Sequence, residues 1–296
     1  MLQTQPTSRQ PAHVSSSPSR MDMTTRPRGI GGARSAVHLM ARAAMVQAHE
    51  AALLLSVAAT APVRLFRGDH EPANTISPHA KPHAAATLPV LLVHGFGGAK
   101  SSWSLVAHAL SARGLAVHAI SYAPVGKSVE QLAAQLVAEV ESTLNRTGSD
   151  KLHLVGHSLG GVIIAQAILD PRIIGRVDTV VTLGSPFGGS PWADMLPILE
   201  LVRALRAGSP LLRRLATTPL PDGVRWLSVT AALDIIVPGV RSVPAHPQAE
   251  TITFDGVGHL GMLLSRKVIA YITAALSAAG TGSATEPVMR VLASAS

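Results

Sequence analysis

The stretch with the clearest chemistry is a serine held between two glycines. Residues 156–160 read Gly-His-Ser-Leu-Gly and fit the pattern G-x-S-x-G. Apolar residues predict a strand over 151–155 and a buried helix over 162–168. Strand, sharp turn and helix form the context of a nucleophile elbow, in which small residues let the strand and the helix pass close to an exposed serine. We therefore predict that Ser158 is a catalytic nucleophile.

A serine hydroxyl is a poor nucleophile until a base takes its proton, and the base must itself be oriented by an acid. We predict that His259 is the base and that Asp234 is the acid, because each follows the end of a predicted strand. Asp222 is the second choice for the acid. Asp255 is less favoured because it lies only four residues before His259. The chain order of these candidates is nucleophile, acid and base: Ser158, Asp234 and His259.

The oxyanion that forms during acyl transfer needs backbone N–H donors. Residues 94–98 read His-Gly-Phe-Gly-Gly and follow an apolar run over 90–93 that predicts a buried strand. Such a glycine-rich turn leaves N–H groups free to point at an anion. We predict that Phe96 and Leu159 form the oxyanion hole. The residues expected to shape the turns or bind substrate are His94, Gly95, His157, Phe187 and Trp192.

Other chemistries have weaker support. Ser185 also follows a predicted strand, but Pro186 and two glycines come next, so we interpret it as a loop residue that shapes the cleft. The histidines show no H-E-x-x-H or paired spacing that would predict a zinc site. Residues 95–98 lack the G-x-G-x-x-G spacing of a nicotinamide site. We therefore predict neither a metal nor a cofactor.

The elements that must position these residues alternate between strand and helix. The predicted strands cover 90–93, 115–122, 151–155, 177–183, 224–231 and 249–254. Helices between them predict a doubly wound, mostly parallel sheet, in which ligands bind beyond the carboxyl ends of the strands. Residues 191–222 are longer than a usual connection and carry an apolar face. They form either one ordinary core helix or a helical lid over the cleft.

The chain is expected to divide into four parts. Residues 1–36 are predicted to be a disordered extension, 37–87 a helix and linker, 88–278 the catalytic domain and 279–296 a tail. The apolar run over 51–63 is too short to span a bilayer and has the length of a signal-peptide core. A helix that packs on the domain or on a membrane surface fits better, because Glu50 directly precedes the run. A cytoplasmic or membrane-peripheral location is therefore favoured over secretion.

Composition excludes several classes of protein. Hydrophobic residues make up 47% of the 296 residues and charged residues only 14%, which is typical of a folded domain. The net charge is +8, and six arginines face one aspartate within the first 42 residues. No basic and aromatic stripe accompanies this charge, so no nucleic-acid partner is expected. The absence of cysteine excludes disulfides and a thiolate nucleophile. The sequence does not define the oligomeric state.

Residues 88–277 resemble the α/β-hydrolase family, and within it the bacterial lipases and esterases. The motifs that carry the resemblance are the turn at 94–98, the elbow at 156–161, the run Leu-Gly-Ser-Pro-Phe-Gly-Gly at 183–189, Asp234 before Val237-Pro238, and Gly258-His259. Phe187 stands where such lipases often have histidine. The resemblance implies an α/β-hydrolase fold with a helical lid, and hydrolysis of apolar acyl esters, including lipid esters, through an acyl-enzyme.

Two alternatives to this function remain at this point. An acyltransferase or a thioesterase would use the same three residues with a different acceptor or substrate. A non-catalytic binding protein would carry a decayed site. This alternative is less favoured, because a decayed site need not keep residues for every catalytic role and this sequence has them all.

Overall fold

The structure, a computed structural model, describes residues 30–67, 87–195 and 199–278. The strands are β1 (Val90–Val93), β2 (Val117–Ala119), β3 (Leu152–His157), β4 (Val177–Leu183), β5 (Arg225–Ala231) and β6 (Ala249–Phe254). The helices are α1 (Ile30–Arg67), α2 (Ser104–Ser111), α3 (Val129–Thr147), α4 (Leu159–Ala167), α5 (Pro191–Met195), α6 (Glu200–Ala204), α7 (Pro210–Thr217) and α8 (Arg266–Ala278). The predicted C-terminal tail and most of the predicted N-terminal extension and linker lie outside the described residues.

The described strands form one parallel sheet in the order β2-β1-β3-β4-β5-β6. This confirms the predicted fold class. The order reverses direction at β1, whose neighbours are β2 on one side and β3 on the other. A crevice therefore opens beyond the carboxyl ends of β1 and β3, where ligands bind in such sheets. Val93 pairs with Gly156, so the glycine-rich turn after β1 and the elbow after β3 leave the sheet side by side.

Helices cover both faces of the sheet, and each face has its own apolar core. In β1, Leu91 and Val93 face the core that contains α3 and α4, whereas Val90 and Leu92 face the core that contains α2 and α8. All four residues are at most 1% exposed. This explains why β1 is a continuous apolar run rather than an alternating one.

The start of α3 is fixed by a pair of capping residues. The Ser128 hydroxyl accepts a hydrogen bond from the Gln131 backbone N–H at 3.3 Å, and the Gln131 side chain accepts one from the Ser128 N–H at 2.9 Å. This reciprocal capping box satisfies two N–H groups that a helix start otherwise leaves without partners. Gly148, with φ of 65°, ends the helix in the left-handed conformation that favours glycine.

Some predicted boundaries were wrong. β2 has three residues instead of eight, and β3 continues two residues past the predicted end, to His157. After β6, a short 3₁₀ turn occupies Gly261–Leu263, and α8 begins at Arg266.

Of the two interpretations of the 191–222 region, the structure does not fit one ordinary core helix. The described part of the region folds as α5, α6 and α7. Glycine accounts for part of the break, since Gly208 between α6 and α7 has φ of 68°. The predicted apolar face does not hold together: Leu205 is buried, but Met195 is 70% exposed. A single helical period across the segment therefore misplaced these side chains.

Helix α1 begins at Ile30, within the stretch predicted to be disordered, and runs for 38 residues. Residues Met1–Leu39 and Met40–Ser296 form two compact units. The α1 residues Gln47 and Glu50, which contact the loops of the sheet, belong to the second of these units. None of the helices in the described ranges is both long enough and apolar enough to cross a bilayer.

Candidate active site

Ser158 lies at the sharp turn between β3 and α4. Its φ of 54° and ψ of −122° make it the one non-glycine residue with positive φ among the described residues. The Ser158 N–H donates to the Leu183 carbonyl at 2.9 Å, and the Ser158 carbonyl accepts from the Gly161 N–H at 3.1 Å. Such a backbone conformation costs on the order of 1–3 kcal/mol and persists only where its surroundings enforce it. Ser158 is half-buried, so its hydroxyl remains reachable.

The elbow requires glycine because the backbones approach too closely for any side chain. A Cβ at Gly160 would lie 2.1 Å from the Val93 carbonyl oxygen. A Cβ at Gly156 would lie 2.6 Å from the Gly161 nitrogen. Both distances are far below van der Waals contact. The backbone of α4 can therefore approach β1 and β3 this closely only with glycine at these positions.

His259 and Asp234 form a buried pair beside the elbow. The His259 Nδ1 lies 2.7 Å from Asp234 Oδ2. The other oxygen of Asp234, Oδ1, accepts from the N–H groups of Ile236 at 2.9 Å and Val237 at 2.7 Å. These backbone donors fix the carboxylate, and the carboxylate in turn fixes the orientation of the imidazole ring.

The other two carboxylates weighed for this position lie elsewhere. Asp222 is exposed in the turn before β5, at the opposite end of that strand from Asp234. Asp255 is exposed directly after β6. Of these three carboxylates, Asp234 is therefore the one that pairs with His259.

The glycine-rich turn after β1 packs against the elbow. The Gly98 N–H donates to the Gly95 carbonyl at 3.1 Å, which closes a four-residue turn over 95–98. Gly97, the third residue of that turn, has φ of 69°. A Cβ on Gly95 would lie 3.0 Å from the Ser158 Cβ. Phe96, the next residue, is half-buried against the core that contains α3 and α4. The turn thus brings the Phe96 backbone next to Ser158.

Leu159 is the first residue of α4 and is fully buried. Its backbone lies at the N-terminus of this nine-residue helix. The unpaired N–H groups and the dipole of a helix N-terminus favour negative charge there. The elbow therefore offers an anion a positively polarised surface.

Two further histidines lie close to the elbow. His157 Nε2 lies 3.0 Å from the His259 carbonyl oxygen, and the two imidazole rings are 4.7 Å apart. Burial, reinforced by the neighbouring His259, lowers the pKa of His157 to about 3, so its ring is neutral and can donate to that carbonyl. His94 stacks on Tyr122 at 4.2 Å, and the Tyr122 hydroxyl donates to the His94 carbonyl. Both histidines are buried and hold the turns in place.

The lowered pKa of His157 makes a prediction about stability at acidic pH. Below pH 6.5 the unfolded chain binds a proton at His157 that the folded protein refuses until about pH 3. The free energy of unfolding should therefore lose nothing from His157 above pH 6.5. Below pH 6.5 it should fall as the pH drops toward 3, by up to about 1.4 kcal/mol per pH unit for this residue. Urea unfolding between pH 7 and 4 measures this slope.

His157→Gln keeps a side-chain N–H donor but removes the titrating ring, so its stability should depend less steeply on pH than that of the wild type. The matched control is His49→Gln, at an exposed position on α1. Equal slopes for the wild type and His157→Gln would contradict the assignment.

The remaining predicted site residues are less closely grouped. Ser185 is fully buried beneath α4, where a Cβ on Gly161 would collide with its hydroxyl oxygen, so it is not accessible to a substrate. Phe187 is half-buried and packs edge-on against Trp226 at 5.6 Å. Trp192 is 41% exposed, and its indole N–H donates to the Ile235 carbonyl at 3.1 Å. Within the described residues, no three His, Asp or Glu side chains are grouped so that they could hold a metal ion.

Sequence reasoning missed several residues that lie around the buried pair and the loop that carries His259. Gly184 has φ of 55°, and a Cβ there would lie 3.0 Å from Asp234 Oδ2 and 3.2 Å from His259 Nδ1. The same Cβ would lie 2.5 Å from the Met262 side chain. The position of Gly184 at the end of β4 was the available signal. Glu50, on α1, hydrogen-bonds the loop that carries His259, and no local pattern could have shown this long-range contact.

Comparison with known proteins agrees with this geometry. Residues 89–225 match the family model described as the alpha/beta hydrolase fold. The mature form of a lipase from Bacillus licheniformis superposes with a TM-score of 0.54 at 20% identity, over 65% of this chain and 90% of that one. The chain is a member of the α/β-hydrolase superfamily. The resemblance seen in the sequence is thereby confirmed.

Two relatives of this α/β-hydrolase differ in their named activities. A triacylglycerol lipase of Pseudarthrobacter phenanthrenivorans is 30% identical over 131 residues, which cover 40% of this chain and 39% of the lipase. The dihydrolipoyllysine-residue acetyltransferase component of the acetoin cleaving system of Cupriavidus necator is 35% identical over 225 residues, covering 59% of each chain. In both cases the chain spans less than two thirds of the length of its relative.

Proposed function

We propose that this α/β-hydrolase is a serine carboxylic ester hydrolase that cleaves apolar acyl esters through an acyl-enzyme on Ser158. The observation that carries the proposal is the 2.7 Å contact between His259 Nδ1 and Asp234 Oδ2 next to an elbow serine with positive φ. Nδ1–H donation to the carboxylate leaves Nε2 as the free base. Nothing in this mechanism requires a metal or a cofactor.

The first half of the proposed reaction forms the acyl-enzyme. His259 Nε2 takes the proton of the Ser158 hydroxyl while its oxygen attacks the ester carbonyl carbon. Asp234 stabilises the imidazolium that results. The N–H groups of Phe96 and Leu159 would donate to the oxyanion, and a single such donor is commonly worth about 3 kcal/mol in the transition state. The tetrahedral intermediate then expels the alkoxide, which leaves as the alcohol with the proton from His259.

The second half reverses these roles. A water molecule gives its proton to His259 Nε2 and attacks the acyl carbon. The Ser158 oxygen leaves with that proton, and a carboxylic acid is released. Neutral imidazole is needed at the start of each half, and the tautomer with its proton on Nδ1 is the one that Asp234 favours.

An apolar acyl group is supported by the residues around the crevice. Phe96 and Phe187 are half-buried next to the core that contains α3 and α4. Trp192, Met195 and Ile235 are exposed large apolar side chains, at 41%, 70% and 48%. Ser190, directly before the 191–222 region, donates to the Ile236 carbonyl, and Trp192, within the region, donates to the Ile235 carbonyl. We infer that this region is a lid tied to the loop that carries Asp234, with contact to a membrane or lipid surface through these side chains.

Labelling with a fluorophosphonate, followed by a panel of p-nitrophenyl esters from acetyl to long-chain acyl, tests the proposal. We expect stoichiometric labelling at Ser158 and turnover that rises with acyl length beyond acetyl, because longer chains bury more apolar surface against the rim. Both emulsified and dissolved esters should be hydrolysed. An unlabelled protein with no turnover of any ester would refute the proposal.

An acyltransferase or thioesterase is the alternative. Its specific support is the acetyltransferase component of C. necator, which matches more of this chain than the lipase does. The same acyl-enzyme would then pass its acyl group to an alcohol or thiol instead of water. Product analysis in the presence of added alcohols, and a comparison of oxygen esters with thioesters, separates these reactions.

A further inference from the structure

The carboxylate of Glu50 is buried against the loop that carries His259. Glu50 is 2% exposed, although it lies on a helix whose neighbouring residues are exposed. Its Oε2 accepts from the Leu260 N–H at 2.9 Å, and its Oε1 accepts from the Gly261 N–H at 2.6 Å. Both oxygens of the carboxylate are thus directed at the two peptide groups that follow His259. Such charge-assisted hydrogen bonds are about twice as strong as neutral ones.

The loop is shaped to admit this carboxylate. A Cβ on Gly258 would lie 2.3 Å from the Glu50 Cγ and 2.4 Å from its Cδ, and a Cβ on Gly261 would lie 2.8 Å from Oε1. Neither glycine has positive φ, so their backbones alone do not require glycine. The space that the Glu50 side chain occupies is therefore what excludes larger residues on either side of His259.

The same face of α1 also contacts the loop that carries Asp234. Gln47 lies three residues before Glu50, a spacing that places both side chains on one face of a helix. Its side-chain N–H donates to the Leu233 carbonyl at 2.8 Å. Leu233 directly precedes Asp234. One turn of α1 therefore contacts the chain directly before the acid and directly after the histidine.

We propose that Glu50 is a positioning residue for His259, with Gln47 supporting Asp234 in the same way, and that α1 is part of the catalytic apparatus. This inference rests on the proposed function. The chain between β6 and the 3₁₀ turn at Gly261 has no regular secondary structure, so a loop must hold the imidazole. A displacement of about 1 Å at a reacting group can cost about 100-fold in rate. The two hydrogen bonds of Glu50 restrain the peptides next to that imidazole.

Glu50→Ala tests the inference in the full-length protein. It removes both acceptors, so we expect kcat per labelled active site to fall about 10- to 100-fold. KM should stay within about twofold, because Glu50 lies behind the loop and not in the crevice. Glu50→Gln keeps one carbonyl acceptor and places an amide N–H against the other peptide, so its kcat should lie between those of Glu50→Ala and the wild type. His49→Ala, at the exposed neighbouring position, is the matched control with wild-type kcat.

A double-mutant cycle with Gly258 tests the contact itself. Gly258→Ala alone should reduce kcat strongly, because its methyl group collides with the Glu50 side chain. In the Glu50→Ala background that space is empty, so the additional loss from Gly258→Ala should be much smaller. Equal losses in the two backgrounds would show that the glycine is needed for another reason, and would overturn the inference.

A purely structural role makes a different prediction. It would lower the melting temperature of Glu50→Ala and the labelled fraction but leave kcat per labelled site at the wild-type value. Amide hydrogen exchange adds a measurement that needs no substrate. Glu50→Ala should exchange faster at Leu260 and Gly261, while α3 keeps its protection.

The outcomes distinguish this inference from the proposed function. A wild-type protein that hydrolyses no ester would sink the proposed function, and the exchange result would still decide whether Glu50 orders the histidine loop. An active wild type with unchanged kcat and unchanged exchange in Glu50→Ala would sink the inference alone.

Discussion

Ser158→Ala is expected to lower kcat for p-nitrophenyl ester hydrolysis by about 10⁴-fold or more. The hydroxyl is the one group that forms the bond to the acyl carbon, and no neighbouring side chain can replace it. Ser158 is only half-buried at the elbow, whereas Ser185 is fully buried, so this substitution tests the reachable hydroxyl. Residual hydrolysis would come from water attacking a substrate that the oxyanion donors still polarise.

The protein should remain folded in this variant. Alanine keeps the Cβ that serine places at φ of 54°, so the backbone strain is the same in both proteins. Circular dichroism and the urea midpoint check this point. The matched control is Ser185→Ala, which removes another hydroxyl close to α4 and should retain both turnover and fluorophosphonate labelling. Full turnover in Ser158→Ala would end the assignment of Ser158 as nucleophile.

The second large effect is expected for Asp234→Asn, with kcat reduced by about 10⁴-fold. The geometry explains the size of the loss. Oδ1 accepts from two backbone N–H groups, so the amide oxygen of the asparagine must take that side. Its NH₂ group then faces His259 Nδ1 and can only donate. The ring is forced into the tautomer with its proton on Nε2, which cannot take a proton from Ser158.

This variant changes a charge but little shape, so its melting temperature should shift far less than its activity. The control is Asp255→Asn, which removes an exposed carboxylate four residues from His259 and should retain activity. Steady-state kinetics with one short-chain ester are sufficient. Loss of activity in Asp222→Asn, with Asp234→Asn still active, would assign the acid to the sequence alternative instead.

Local patterns predicted most of the sheet, because β1, β3, β4 and β5 are buried on both faces and their apolar runs end where the chain leaves the core. β4 has its predicted bounds, and so does the more exposed edge strand β6. The 191–222 region was harder to predict. Apolar spacing within it is compatible with one helix, but turns at positions such as Gly208 divide it. Burial against the domain, which the spacing does not encode, then decided which apolar side chains are covered.

By itself, the sequence determined the fold class and the elbow, and it placed the candidate serine, acid and histidine at the ends of strands. These are local properties, since hydrophobic periodicity and glycine spacing act over a few residues. Only the tertiary structure showed that Asp234, rather than Asp222 or Asp255, pairs with His259, and that Glu50 lies against the histidine loop. Those partners are 25 and more than 200 residues apart along the chain. Contacts at such separations depend on how the whole sheet brings its loops together, and no local pattern specifies that arrangement.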